Sequence, residues 1–129
     1  MSGRFLLDTN IVIALFARES PVQQHLSTAE EVFAPSIVLG ELYYGARKSV
    51  HVEANTKRID EFAASVSVLP CDSVTAQHYG VIKNHLRAKG RPLPENDIWI
   101  AAVARQYSLV VVSRDEHFSH IDGLVVEAW

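Results

Sequence analysis

The chain has 129 residues, of which 48% are hydrophobic and 21% are charged, values that favour one globular domain over a disordered or fibrous protein. Its net charge of -3 disfavours a protein that coats nucleic acid by bulk electrostatics. The basic runs Arg47-Lys48 and Lys57-Arg58 could still contact nucleic acid locally, and the alternative is that they are ordinary solvated surface. The lone cysteine, Cys71, excludes an internal disulfide framework, and its thiol is expected to be buried or idle. Because the sequence predicts neither a signal peptide nor a membrane span, a cytoplasmic protein is expected.

In the first half of the chain, apolar strands are predicted to alternate with helices. Arg4 to Leu7 is typical of a short buried strand, and Asn10 is the expected N-cap of an apolar helix from Ile11 to Phe16. Ser20-Pro21 predicts the cap and first turn of a short helix that ends near Ala29. The other elements predicted in this half are a strand at Val32 to Ala34, a helix from Pro35-Ser36 to about Gly45 to Lys48, a helix from Val52 to Ala64 and a strand at Val66 to Leu69.

The alternation continues in the second half. Ser73 is the expected cap of a long helix that reaches Lys89, with Gly90 as its stop. Its predicted apolar face consists of Val74, Val81, Ile82 and Leu86. After an extended loop, the predicted elements are a helix from Glu95 to Tyr107 that is apolar nearly all round and so interior, a buried strand at Leu109 to Val112 and a last strand at Leu124 to Val126.

Strands that alternate with helices predict an α/β sandwich around a mainly parallel sheet, formed as one domain over residues 1–129. In open sheets of this kind, ligands bind at the carboxyl ends of the strands. Asp8 directly follows the first predicted strand, and Asp115 follows a late one. Both carboxylates are therefore expected at the ligand-binding edge.

Four acidic residues occupy positions where a carboxylate is hard to explain: Asp8, Glu41, Asp97 and Asp115. Each has an ordinary alternative, namely a cap or turn for Asp8 and Asp115, a snorkelling surface side chain for Glu41, and the positive end of a helix for Asp97. If they converge, their repulsion requires cations or protons. Carboxylate oxygens suit Mg²⁺ or Mn²⁺, so together the four predict a hard-cation site.

Other chemistries have less support. His117 and His120 are one helical turn apart, but no cysteine or third histidine stands at a zinc-like interval, which disfavours a histidine-ligated metal. The chain also has neither a glycine-rich phosphate loop nor a Gly-x-Ser-x-Gly turn. Nucleophilic and P-loop mechanisms are therefore disfavoured.

Four motifs follow one another along the chain: Leu7-Asp8-Thr9-Asn10, Gly40-Glu41-Leu42, Asn96-Asp97-Ile98-Trp99-Ile100-Ala101-Ala102 and Ser113-Arg114-Asp115-Glu116-His117-Phe118. They resemble the motifs of PIN-domain ribonucleases, with the closest likeness to the VapC toxins of type II toxin-antitoxin systems. The order, spacing and total length agree, so the resemblance covers essentially the whole chain.

The resemblance implies a PIN-like three-layer sandwich with a four- or five-stranded sheet, and an endoribonuclease that hydrolyses RNA phosphodiester bonds with metal-activated water. Asp8 and Asp97 would bind Mg²⁺ or Mn²⁺ directly, and Glu41 would hold the metal or its water. Asp115 would serve a second metal or the outer shell, while the hydroxyls of Thr9 and Ser113 would support the site. Transfer RNA or ribosomal RNA is the implied substrate class.

The resemblance also implies a homodimer and a cognate antitoxin whose tail occupies a groove near the site. Tyr43, Tyr44, Trp99 and Phe16 are candidates to line that groove or the dimer face, with core packing as the alternative for the last two. Rival functions are a haloacid dehalogenase-like phosphatase, which needs a second Asp where Asn10 stands, and a receiver-like signalling domain, which needs a lysine near Ser113. A PIN-fold binding protein without turnover is a further alternative.

Overall fold

A computed structural model describes residues 3–129, in which strands and helices alternate as predicted. The strands are β1 (Arg4–Leu7), β2 (Glu31–Pro35), β3 (Ser67–Leu69), β4 (Val110–Val112) and β5 (Val126–Glu127). The helices are α1 (Thr9–Phe16), α2 (Ser20–Thr28), α3 (Ser36–Lys48), α4 (Val52–Ser65), α5 (Ser73–Ala88) and α6 (Glu95–Tyr107), and a 3-10 helix (Glu116–His120) follows β4. The predicted α/β class is confirmed.

The five strands form one sheet in the order β3-β2-β1-β4-β5, and every neighbouring pair is parallel. From the central strand β1 the chain first builds β2 and β3 on one side and then crosses to β4 and β5 on the other. The reversal leaves a crevice at the carboxyl ends of β1 and β4, which is where open α/β sheets bind ligands. Leu7 pairs with Val112 at this end, and the Asp8 N–H donates to the Val112 carbonyl at 3.0 Å.

The sheet is flanked by the six helices, and α6 is the most deeply buried of them. The residues of α6 that are almost fully buried are Ile98, Ile100, Ala101, Ala102, Val103 and Ala104. Their neighbours include α5, which packs along α6 through Ile82 and Leu86. The predicted interior helix is therefore confirmed. Between residues 3 and 129, every helix is too short or too polar to cross a lipid bilayer.

The helix caps differ from those predicted. Asp8, rather than Asn10, caps α1, and Asp72, rather than Ser73, caps α5 through a reciprocal pair of bonds with Thr75. Ser20 is the first residue of α2 and not its cap. In a run of adjacent polar residues, the cap is the one whose backbone is still extended, and sequence alone does not show where the backbone turns.

Two smaller expectations are wrong. Val74 and Val81 are 44% and 43% exposed, because the buried side of α5 is narrower than its apolar residues suggest. The last strand is Val126–Glu127 and begins two residues later than predicted. Cys71 is exposed rather than buried, but burial of its sulfur and the charge of Asp72 raise the pKa of the thiol, which agrees with the idle alternative. The stop at Gly90 is confirmed, since its φ of +67° is one that glycine adopts without strain.

Candidate metal centre

Asp8 lies at the carboxyl end of β1 and, within residues 3–129, is the one charged residue that is buried. Its Oδ1 accepts a hydrogen bond from the Thr9 N–H at 2.8 Å, and its Oδ2 accepts one from the Ser113 hydroxyl at 2.7 Å. A buried carboxylate without a cation normally carries two or more such donors because its desolvation is costly. Asp8 is thus both the cap of α1 and a fixed acceptor in the crevice.

Glu41 approaches the same crevice from α3. Its Oε1 accepts a hydrogen bond from the Thr9 hydroxyl at 3.0 Å, so the first turn of α1 and the second turn of α3 meet at this contact. The side chain is half-buried, between Val38 and Leu42 on the buried side of the helix. A plain snorkelling glutamate would extend to solvent, whereas Glu41 is held beside the Asp8 segment.

A second group of contacts joins Asp97 and Asp115 to His117. Asp97 stands in the first turn of α6, and its Oδ2 lies 2.7 Å from Nδ1 of His117. The same nitrogen lies 3.1 Å from Oδ1 of Asp115, which also accepts the His117 main-chain N–H at 3.0 Å. One ligand atom from each of these three side chains lies within 4.8 Å of the others. Asp8 and Glu41 are outside this tightest group.

Ser113 connects the two halves of the site. Its hydroxyl donates to Asp8 and accepts the main-chain N–H of Asp115 at 3.0 Å. Asn10 adds a third contact, with Nδ2 at 3.3 Å from the Ser113 oxygen, while its Oδ1 accepts the Arg114 N–H at 3.2 Å. A substitution at Ser113 would therefore disturb the carboxylates at the ends of both β1 and β4.

Burial and neighbouring negative charges raise the proton affinity of Asp8 and Asp97. Burial is the main reason that the pKa of Asp8 is raised, and the charges of Asp97 and Glu41 add to it, while the bonds from Ser113 and Thr9 oppose it. Burial also raises the pKa of Asp97; its bond to His117 opposes this effect, and the charge of Asp115 adds to it. The bond to Asp97 in turn raises the pKa of His117. The site is short of positive charge, and His117 supplies part of it.

These features fit a hard divalent cation. The converging donors are carboxylate oxygens, which prefer Mg²⁺ and Mn²⁺. Burial, together with neighbouring carboxylates, raises the pKa of Asp8 and Asp97, and a bound cation would offset both effects. An imidazole in contact with two of the carboxylates suits Mn²⁺ as well. With such a cation bound, the site would suit chemistry in which negative charge develops on a phosphate group.

The structure brings all the predicted site residues to one edge, with Thr9 and Ser113 as hydroxyl donors to Glu41 and Asp8. Two participants were not predicted. Both residues lie in the motifs quoted above, but the sequence predicts no role in this site for either His117 or Asn10. The uninterrupted polar run Asp8-Thr9-Asn10 was the one available signal, since a helix needs a single cap and the surplus side chains are free for a site.

Comparison with known proteins places the chain among related sequences. A family model for the PIN domain matches residues 5–124. Ribonuclease VapC2 of Haemophilus influenzae is 36% identical over 129 residues, with 98% of each chain covered. The tRNA(fMet)-specific endonuclease VapC of Shigella flexneri is 34% identical, again with 98% of each chain covered.

Solved structures show the same likeness. The DNA-bound VapBC complex of Salmonella typhimurium contains a chain that matches with a TM-score of 0.91 and 32% identity, covering 100% of this chain and 99% of that one. The promoter-bound VapBC2 complex of Rickettsia felis gives a TM-score of 0.91 at 27% identity, with 98% of each chain covered. The fold therefore coincides with that of a chain in each of these complexes.

Proposed function

The chain belongs to the PIN domain family, and on that basis we propose that it is a metal-dependent endoribonuclease and the toxin of a type II toxin-antitoxin pair. One observation carries this proposal: Asp8, Glu41, Asp97 and Asp115, which are spread over most of the sequence, meet at the carboxyl edge of the sheet. The names of the relatives support RNA as the substrate. The proposed domain is the whole of residues 1–129, for which the single hydrophobic core is support.

We assign Asp8 and Asp97 as the direct metal ligands, because both side chains are largely buried and their burial raises the pKa, a cost that a bound cation would offset. Glu41 and Asp115 complete the carboxylate set, with Asp115 the better placed of the two to reach a second ion or a water beside Asp97. Mg²⁺ is the expected ion, and Mn²⁺ the expected substitute. When bound, the cation supplies Lewis acidity, which acidifies water and stabilises negative charge at the phosphate.

The chain's own residues prepare the site for that ion. The Thr9 N–H and the Ser113 hydroxyl donate to the two oxygens of Asp8, and the Thr9 hydroxyl donates to one oxygen of Glu41, so both carboxylates are already held in place. His117 keeps Asp97 and Asp115 close together despite their repulsion. Because these acceptors are fixed in advance, little reorganisation would be needed when the ion binds.

We further propose a cognate antitoxin as the protein partner, since solved structures with this fold include VapBC complexes. Transfer RNA is the first substrate to test, because a relative of the chain is named as specific for tRNA(fMet). Because the proposed substrate is cellular RNA, we propose a cytoplasmic location. A homodimer remains our expectation, and the exposed ring of Tyr44 is a candidate contact for it or for the antitoxin.

Cleavage of RNA is expected to require a divalent cation. Purified protein with Mg²⁺ or Mn²⁺ should cut a transfer RNA or ribosomal RNA and leave 5′-phosphate ends, and excess chelator should abolish cleavage until metal is restored. The measurement is gel analysis of end-labelled RNA, with p-nitrophenyl phosphate as a parallel substrate. Cleavage that persists in chelator would contradict metal dependence, and hydrolysis of p-nitrophenyl phosphate with no cut RNA would favour the phosphatase alternative.

A further inference from the structure

The guanidinium of Arg114 joins three segments of the chain beside the carboxylates. Its Nη2 donates to Oε1 of Glu19 at 2.7 Å and its Nη1 to Oε2 of the same residue at 3.4 Å. Its Nε donates to the main-chain oxygen of Trp129 at 2.8 Å. The loop after β4 is thereby tied to the connection between α1 and α2 and to the residues after β5.

Both anchors of this arginine belong to segments that are held in the fold. Glu19 is the residue before α2, where it makes no side-chain capping bond, and its N–H donates to the Ala14 carbonyl at 3.1 Å. Trp129 is 8% exposed: its ring stacks on His25 with the centroids 4.8 Å apart, and it meets Phe5 edge to face at 5.0 Å. A planar guanidinium bonded to two separate segments has less freedom than an arginine that makes a single surface pair.

The main chain of the same loop is held from its other side. The Arg114 N–H donates to Asn10, and the hydroxyl of the preceding residue, Ser113, bonds both Asp8 and the Asp115 N–H. The backbone that carries Asp115 is thus restrained on its inner face by the site and on its outer face by the arginine. The site and the arginine together set the position of this backbone.

Such a restraint has a use here because Asp97 and Asp115 repel each other. Two like charges favour a loop that moves apart, and only an opposing restraint keeps them near enough to share an ion. We propose that Arg114 is a positioning residue that holds Asp115 in the carboxylate group through its bonds to Glu19 and Trp129, an inference that rests on the proposed function for the metal site. Arg114 itself does not touch the substrate or the ion.

The test compares the Mn²⁺ affinity of Arg114→Met with that of a matched control, Arg4→Met. Arg4 makes a similar exposed pair with Glu31 at 2.9 Å, but it stands at the opposite end of β1 from Asp8. Arg114→Met should weaken Mn²⁺ binding about tenfold, the loss typical of residues that orient metal ligands, and Arg4→Met should change it by less than about twofold. Both variants should lose a similar small amount of thermal stability in chelator, since exposed ion pairs contribute little.

Glu19→Gln provides a second, milder variant, which keeps the shape of the anchor and removes its charge. It should weaken Mn²⁺ binding about threefold and lower kcat more than it raises KM for RNA. Wild-type Mn²⁺ affinity in Arg114→Met, with only the melting temperature lowered, would overturn the positioning role. Tight metal binding that Arg114→Met weakens, in a protein that cuts no RNA, would support this inference and reject the proposed function. A wild type that binds no Mn²⁺ would reject both.

Discussion

Asp8→Asn is expected to lower RNA cleavage by about 10³-fold and at the same time to stabilise the metal-free protein. A bound divalent cation supplies several kcal/mol of charge stabilisation, and a loss of about 4 kcal/mol slows a reaction by about 10³-fold. The stability gain follows from the raised pKa of Asp8, which shows that the buried carboxylate is penalised when it is ionised. An amide keeps the shape of the side chain and one acceptor for the Thr9 N–H.

The measurements are the cleavage rate with Mg²⁺ and the free energy of unfolding by denaturant titration in chelator. Asp122→Asn is the matched control: Asp122 is exposed, is paired with Lys89, and precedes β5 on the side away from the site, so neither quantity should change much. An Asp8→Asn protein that retains cleavage would remove Asp8 from the ligand set. An Asp8→Asn protein that is less stable than the wild type in chelator would show that the ionised carboxylate stabilises the metal-free fold.

Protons and divalent metal are expected to stabilise this fold in the same way. The pKa values of Asp8, Asp97 and His117 are all raised in the folded protein, so the folded state binds more protons than the unfolded chain above the ordinary pKa of each group. Each contribution to stability is complete below the unfolded pKa and is lost as the pH rises through the folded pKa. The free energy of unfolding of the metal-free protein should therefore fall as the pH rises above the ordinary pKa of an aspartate, about 4, and should fall further above the ordinary pKa of a histidine, about 6.5.

Saturating Mn²⁺ should reverse this loss, since the metal binds the ionised carboxylates; at about 100 times its Kd it adds about 2.7 kcal/mol. Calorimetric melting across pH, in chelator and in Mn²⁺, measures both effects. His117→Ala should flatten the metal-free profile above about pH 6.5, where the histidine titrates, whereas the control His85→Ala, at an exposed position of α5, should leave it unchanged. A metal-free stability that rises with pH, or a melting temperature that Mn²⁺ does not change, would contradict a cation site.

The fold was predictable where burial alone decides the structure. The runs in β1 and β4 and the apolar surface of α6 each have one stable environment, the interior of a parallel sheet and its covering helices. Expectations were wrong where several residues serve equally well. Asp8, Thr9 and Asn10 are all good caps, and Val74 is as apolar as Ile82, so only the packing of the complete chain shows which is used.

The site was predictable to the extent that each acid occupies a position where an ionised carboxylate costs free energy. Four carboxylates at the ends or on the buried sides of apolar elements required a common explanation, and the sheet order supplies it, because β1 and β4 are adjacent although a hundred residues separate them. The roles of Asn10, Arg114 and His117 were not predictable, since each depends on a contact with a residue distant in sequence. His117 meets Asp97 twenty positions away, and nothing in the local pattern of either indicates that pair.

The most direct test of the account is a crystal structure of the protein soaked in Mn²⁺, with the ion located by its anomalous scattering. The account predicts a Mn²⁺ peak bonded to carboxylate oxygens of both Asp8 and Asp97, with Glu41 and Asp115 contacting the ion or its waters. An ion bound away from Asp8 and Asp97, or no ion at this edge of the sheet, would contradict the claim that these acids form one metal centre.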